Sequence, residues 1–268
     1  MRITRFMDDE GTPQAGVDLG DGTADVFATD DPLRDRRPTG KRVAIARRLA
    51  PVRPTTIFCI GLNYRRHAEE TGAKLPEHPV VFMKPTSAVQ HPGAPIRLPA
   101  CCTRGPEVDF EGELAVVVGT EGRDIPVDRA LEHVLGYAVA NDVSARRWQK
   151  HGGGGQWIRG KGFDTFCPLG PVLVTTEDVA DPQALPLRTE VDGTVMQESH
   201  TGDMIFTVAE LVAFLSQDTT LLPGTVILTG TPEGVGFARK PPVWLAPGDE
   251  VRITIDPIGT LTNPVVAA

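Results

Sequence analysis

Short apolar runs recur along the chain, separated by glycine- and proline-rich breaks. IFCIGL (57–62), VVFMK (80–84), ELAVVVG (113–119), GYAVAND (136–142), TVILTG (225–230) and EVRITI (250–255) are each too short for a helix core and are rich in β-branched residues. They predict strands. Between positions 187 and 198 two alternating runs flank Asp192-Gly193, a pair that tolerates positive φ, which predicts a two-residue type I′ hairpin. The clearest helix falls at 207–217, where Thr207 and Glu210 form a capping box ahead of Leu211, Phe214 and Leu215. Shorter helices are predicted at 64–70, 127–135 and 144–151.

Residues 1–50 carry nine positive and nine negative side chains, several Asp-Gly or Gly-Thr turn signals and only short apolar stretches. This predicts a small β-rich N-terminal domain, residues 1–55. Segment 51–56 reads as a linker, because Pro51 and Pro54 fix φ and remove donors. A second domain, residues 56–268, holds most of the strands. The expected class is α+β, mainly β.

Composition narrows the function. With 268 residues, 40% hydrophobic and 23% charged, the chain can bury a sizeable core. Lys and Arg total 27 against 35 Asp and Glu, a net charge of −8 that disfavours nucleic acid as a partner. Between 34 and 48 there are seven positives against one negative, but no interleaved aromatics, and Pro38 and Gly40 break the stretch, so it reads as a solvated face. No apolar run approaches the roughly 18 residues that cross a bilayer, and the first ten residues are charged where a signal peptide is apolar, so no membrane partner and a cytoplasmic location are expected. The four cysteines include no CxxC pair and read as free structural thiols.

The chemistry concentrates in Asp109-Phe110-Glu111-Gly112-Glu113, which leads into an apolar strand. Residues two apart on a strand share a face, so Glu111 and Glu113 point the same way. An exposed edge would explain the pair equally well on its own. A third carboxylate, Asp142, ends the run GYAVAND, a strand-end position that faces a cleft. Three converging carboxylates without a cation would have strongly raised pKa values, whereas a divalent ion offsets their repulsion. All-oxygen ligands favour Mg²⁺, Mn²⁺ or Ca²⁺ over zinc.

These residues sit within a longer series of blocks. GLNYRRHAEETG (61–72), VVFMKPTSAV (80–89), DFEGELAVVVG (109–119), GYAVANDVSARRWQ (136–149), RGKGFDTFCPLGP (159–171) and ILTGTPEGVG (227–236) occur in one order over roughly 57–255. The chain resembles the fumarylacetoacetate hydrolase family, in its acylpyruvase and 2-hydroxyhepta-2,4-diene-1,7-dioate isomerase-like branch. The resemblance implies a mixed β-sandwich roll, a homodimer, and one divalent cation, Mg²⁺ or Mn²⁺ with Ca²⁺ also feasible, held by Glu111, Glu113 and Asp142. A small 2-oxo acid would complete that site and pass through an enolate.

Further roles follow from the same blocks. Asn63 can cap a short helix on which His67 and Glu70, at spacing i and i+3, share a face, so that Glu70 orients His67 as a base; solvated surface is the alternative. The resemblance implies that this helix belongs to a mobile lid. Lys161 matches the family lysine beside the substrate, and Lys84 matches a family block as a substrate or anchoring residue. Arg146 and Gln149 follow Asp142 by four and seven residues, so an early helix would bring all three to one face, where Arg146 and Gln149 grip distal substrate oxygens unless Arg146 is held in an ion pair. Arg147 stands where the family often has Asp. Thr229, Gly230 and Thr231, after a strand, can present N–H and hydroxyl groups to a substrate carboxylate. Gly152 to Gly155 lacks a P-loop ending and reads as a flexible rim. The expected activity is hydrolysis of a carbon–carbon bond in an acylpyruvate or related 2,4-dioxo acid by water that the His67–Glu70 dyad activates. Isomerisation, tautomerisation or decarboxylation of a related 2-oxo or 2-hydroxydienoic dicarboxylic acid is the alternative, and a non-catalytic binding protein is a third.

Overall fold

The computed structural model describes residues 1–152 and 154–268. Its centre is the antiparallel pair Gly112–Val118 and Val134–Asn141, buried along its whole length. Both faces are covered, which is why these strands read as continuous apolar runs instead of alternating ones. Alternation still sorts their side chains between two cores. Leu114, Val116, Val118, Tyr137 and Val139 enter one cluster with Ile253, Leu261, Leu211 and Leu215. The intervening Ala115, Val117, Ala138 and Ala140 enter the other with Ile3, Ile57, Phe82, Leu169 and Leu228. Three alanines among those four leave room for the sheet to curl over the second core.

The large sheet runs Pro38–Ala44, Thr23–Phe27, Pro13–Asp18, Arg2–Met7, Cys167–Thr175, Val134–Asn141, Gly112–Val118, Thr225–Leu228, Thr56–Gly61 and Val80–Lys84. It is mixed, because Thr225–Leu228 and Thr56–Gly61 pair in parallel while their neighbours are antiparallel. A second sheet, ordered Thr194–His200, Pro186–Val191, Glu250–Ile255, Gly259–Val266 and Ile96–Arg97, covers the first core. The result is an α+β fold dominated by β structure, a curled sheet backed by a smaller one.

The N-terminal strands extend the large sheet rather than forming a separate one: Arg2 and Ile3 pair with Val174 and Leu173. Only Phe6, Ala24 and Val26 make a small cluster of their own. The segment expected as a linker, 51–56, is buried only at its start: Pro51 is buried and Val52 joins the second core beside Ala50, whose carbonyl accepts from Arg5 Nη1 at 3.1 Å, while Arg53 and Thr55 are exposed.

Local patterns are met in part. Asp192 (φ 49°) and Gly193 (φ 74°) make the turn between Pro186–Val191 and Thr194–His200. Helix Val208–Ser216 begins at Thr207 with both capping-box bonds, and Val208, Leu211, Val212 and Leu215 are buried. The segment 127–133 is a 3₁₀ helix instead of an α-helix. The helix predicted at 144–151 starts two residues later: Ser144–Ala145 pairs with Val108–Asp109, and residues 146–152 are helical, the last five, Trp148–Gly152, as a π-helical turn. Strand pairing takes only the first two residues from the helix. Of the glycine run 152–155, Gly153 lies outside the described residues. Cys59 and Cys167 are buried, Cys101 is exposed and Cys102 half-buried, and all four are free thiols. Among the described residues no helix is long and apolar enough to cross a membrane.

The capping box supplies the first prediction. Thr207→Ala removes the acceptor for the Glu210 N–H and should lower unfolding free energy by about 1 kcal/mol in urea denaturation. An unchanged midpoint would show that the cap is not holding this helix.

Candidate active site

Strand register gathers the carboxylates. Gly112 lies opposite Asn141 in the central pair, so Glu111 and Asp142, one residue beyond each, meet at the strand ends. The Asp142 N–H donates to the Glu111 carbonyl at 2.9 Å, and the Glu111 N–H donates to Asn141 Oδ1 at 3.0 Å. Carboxylate oxygens of Glu111, Glu113 and Asp142 then lie within 4.8 Å of one another, all buried.

Three cations surround the cluster. Lys161 Nζ donates to Glu111 Oε2 at 2.6 Å and to Asp142 Oδ2 at 2.8 Å. Arg146 Nη1 lies 2.6 Å from Glu111 Oε1, while its Nε and Nη2 contact Asp109 Oδ2 at 2.8 and 2.7 Å. Lys84 Nζ pairs with Asp142 Oδ1 at 2.6 Å and donates to the carbonyls of Val143 and Lys161. Asp109 also accepts from the N–H groups of Phe110, Gly236 and Phe237 at 2.8 to 3.0 Å, so it anchors both Arg146 and the loop that carries Phe237.

Glu113 stands apart. It takes one N–H from Gly230 at 2.8 Å and makes no ion pair among the described residues. Burial pushes its carboxyl well above the ordinary range, and Asp142 and Glu111 push it further. Burial also works against ionised Glu111, but Lys161 and then Arg146 outweigh it and hold that carboxyl below its ordinary value. The residues therefore fit a hard divalent cation: Glu113 lacks a counter-charge, and Asp142 Oδ1, though near Lys84, accepts no well-angled hydrogen bond. Glu111, Glu113 and Asp142 could hold Mg²⁺, Mn²⁺ or Ca²⁺, whose oxygen preference matches this donor set.

The cluster opens into a cavity of about 430 Å³ that His67 and Glu70 also line. Both lie on helix Arg65–Thr71, and His67 Nδ1 is 3.1 Å from Glu70 Oε2. Glu70 Oε1 accepts from the Gly234 N–H at 2.9 Å. Burial raises the Glu70 carboxyl, but the bonds from His67 and Gly234 prevail and keep it below its ordinary value. An ionised carboxylate can only accept, so Nδ1 carries the hydrogen, and in the neutral ring Nε2 is then the nitrogen with the lone pair. Ile60, Phe82, Trp157 and Phe237 supply apolar walls. Gly61 permits this closure: a Cβ there would meet Trp157 Cζ3 at 2.3 Å.

Other predicted site residues take different places. Gln149 lines the cavity, and its Oε1 accepts from Arg146 Nη1 at 3.1 Å. Arg146 also lines it, but through the ion pairs with Asp109 and Glu111 and not on a helical face shared with Asp142, since residues 144–145 are extended. Lys84 is 2% exposed and does not line the cavity, so it braces Asp142 from behind. The Gly230 N–H is already taken by Glu113; its φ of +99° aims it there. Thr229 Oγ1 donates to the Leu114 carbonyl, and Thr231, on the cavity wall, donates to the Gly112 carbonyl and accepts from Gln197 Nε2. Asn63 is not a helix cap; its amide ties Phe206 and Thr229, and Tyr64 occupies the cap position. Arg147 faces away and lies 3.8 Å from Glu107. Asp109 and Gln197 carry parts that sequence reasoning did not assign, although Asp109 opens the DFEGE segment and its acidity was visible.

Comparison with known proteins places this geometry among relatives. The family model described as fumarylacetoacetate (FAA) hydrolase C-terminal matches residues 56–266. A Xenopus laevis protein named oxaloacetate tautomerase fahd2, mitochondrial, is 43% identical, with 99% of this chain and 90% of that protein aligned. The crystal structure of 5-carboxymethyl-2-hydroxymuconate delta-isomerase from Mycobacterium smegmatis superposes with a TM-score of 0.86 at 43% identity over 100% of both chains. That of 2-hydroxyhepta-2,4-diene-1,7-dioate isomerase from Mycobacterium marinum gives 0.83 at 42%, covering 100% of this chain and 98% of the other.

Asp109→Asn tests the support beneath the site. It leaves Arg146 buried with one carboxylate fewer and should cost about 3 kcal/mol of stability, measured by denaturant titration. A loss below about 0.5 kcal/mol would mean that the pair does not anchor Arg146.

Proposed function

The chain belongs to the fumarylacetoacetate hydrolase family, and on that premise we propose that it is a divalent-metal-dependent tautomerase or isomerase of a small 2-oxo dicarboxylic acid, with keto–enol interconversion of oxaloacetate as the specific reaction. One observation carries the reading: an oriented imidazole and a buried ammonium, His67 and Lys161, line the same cavity. Moving a proton between carbon and oxygen needs a base over the carbon and positive charge near the oxygen.

In this reading His67 Nε2 takes the proton from the carbon next to the keto group. The C–H electron pair becomes the carbon–carbon double bond, and the carbonyl pair moves onto oxygen. Glu70 stabilises the imidazolium through Nδ1, and the fixed charge of Lys161 lowers the cost of the anionic oxygen. His67 then returns the proton to that oxygen, giving the enol; the reverse sequence gives the ketone. A divalent ion, when bound by Glu111, Glu113 and Asp142, supplies Lewis-acid charge that further favours the enolate. The apolar walls and the buried position of the cluster keep bulk water away.

Hydrolysis of an acylpyruvate uses the same groups and adds an attacking water, which the His67–Glu70 dyad could deprotonate. The relatives above are named as a tautomerase and isomerases, which favours proton transfer over carbon–carbon cleavage. Incubation of the Mg²⁺-supplemented protein with oxaloacetate should speed keto–enol exchange, followed by ultraviolet absorbance and NMR, and His67→Ala should lower kcat by about 10² to 10⁴-fold. Release of pyruvate from acetylpyruvate without any tautomerase activity would overturn this assignment in favour of the hydrolase.

A further inference from the structure

The cavity wall holds a cation that the proposed chemistry leaves unused. Arg146 is spent on Asp109 and Glu111, and Lys161 on Glu111 and Asp142. Lys150, which lines the same cavity, makes no ion pair among the described residues. Its Nζ lies 3.9 Å from the centroid of the Phe237 ring. That ring is itself fixed, since the Phe237 N–H donates to Asp109 Oδ2 at 3.0 Å and the Arg146 guanidinium lies 4.4 Å from its centroid. The ammonium is thus held over a rigid platform at the exposed rim.

The neighbouring donor points to the same ligand. Gln149 gives its Oε1 to Arg146, which leaves the amide NH₂ as its free end on the cavity wall. Burial first, and Arg146 second, hold the Lys150 ammonium below its ordinary pKa, as expected for a cation near another cation. A free ammonium and a free amide NH₂ that line one cavity offer charge and hydrogen bonds to one further carboxylate. In the oxo-acid reading above, the keto and first carboxylate oxygens occupy the end of the cavity near Lys161.

We propose that Lys150, with the Gln149 amide, forms the subsite for the distal carboxylate of the substrate and so selects dicarboxylic over monocarboxylic 2-oxo acids. This rests on the oxo-acid reading above, in that the first carboxylate and keto oxygen are taken to lie near Lys161. Lys150 is a specificity residue: it acts on which acid is held and takes no part in the proton transfer.

Binding, not turnover, is the direct test. Affinities for 2-oxoglutarate and 2-oxopentanoate, five-carbon acids that differ in the distal carboxylate, are measured by calorimetry with excess Mg²⁺ on the wild type, Lys150→Met and Lys150→Arg. The dicarboxylate preference should fall about fivefold in Lys150→Met and be largely kept in Lys150→Arg. An equal preference in wild type and Lys150→Met, or no dicarboxylate preference in the wild type, would overturn the subsite. Oxaloacetate tautomerisation is followed on the same preparations. A shifted binding preference without turnover would remove the tautomerase reading and leave the subsite standing.

Discussion

Four carboxylates and three cations share one buried volume, and the rest of the site follows from that imbalance. Asp109, Glu111 and Asp142 each have a cationic neighbour among Lys84, Arg146 and Lys161, whereas Glu113 has only a backbone N–H. Buried charge without a partner is costly, so metal-free Glu113 is driven toward its neutral form. A divalent ion among Glu111, Glu113 and Asp142 would supply the missing positive charge. The unpaired charge would favour a cation, and the all-oxygen donor set would suit a hard one.

The fold exists in the form needed to hold that imbalance in place. Both acidic segments stand at the ends of the central strand pair, where register brings Glu111 against Asp142. Small alanines on one face let the sheet curl, and the second sheet seals the other face. Lys84 comes from an edge strand and Lys161 from a short helix, so cations reach the cluster from separate parts of the chain. Asp109 links this charged centre to the loop bearing Phe237, which forms the outer cavity wall.

Much of this was legible in the sequence where the local rule and the tertiary structure agree. Period-two spacing and a strand end were enough to bring Glu111, Glu113 and Asp142 together, and the i, i+3 spacing of His67 and Glu70 survives as a hydrogen-bonded pair. The capping box at Thr207 also survives, because its bonds are local. Arg146 and Gln149 do share a helical turn, but Asp142 lies outside it, because Ser144 and Ala145 pair as a strand and delay the helix. In glycine-rich Thr229–Gly230–Thr231, which looked like an anion cradle, the Gly230 N–H goes to Glu113 and the two hydroxyls to the Leu114 and Gly112 carbonyls, while Thr231 stays on the cavity wall. Which donor a loop spends, and on whom, is decided by partners more than 100 residues away in sequence. Charge and turn density mark off the N-terminal strands in the sequence, while the hydrogen bonds that join Arg2 and Ile3 to the large sheet leave no mark in composition.

The central claim is that Glu111, Glu113 and Asp142 form one ion site, and anomalous diffraction from crystals grown with Mn²⁺ tests it most directly. The account predicts a single strong anomalous peak within coordination distance, about 2.2 Å, of an oxygen from each of the three residues. A peak elsewhere in the molecule, or none between those carboxylates at saturating Mn²⁺, would contradict it.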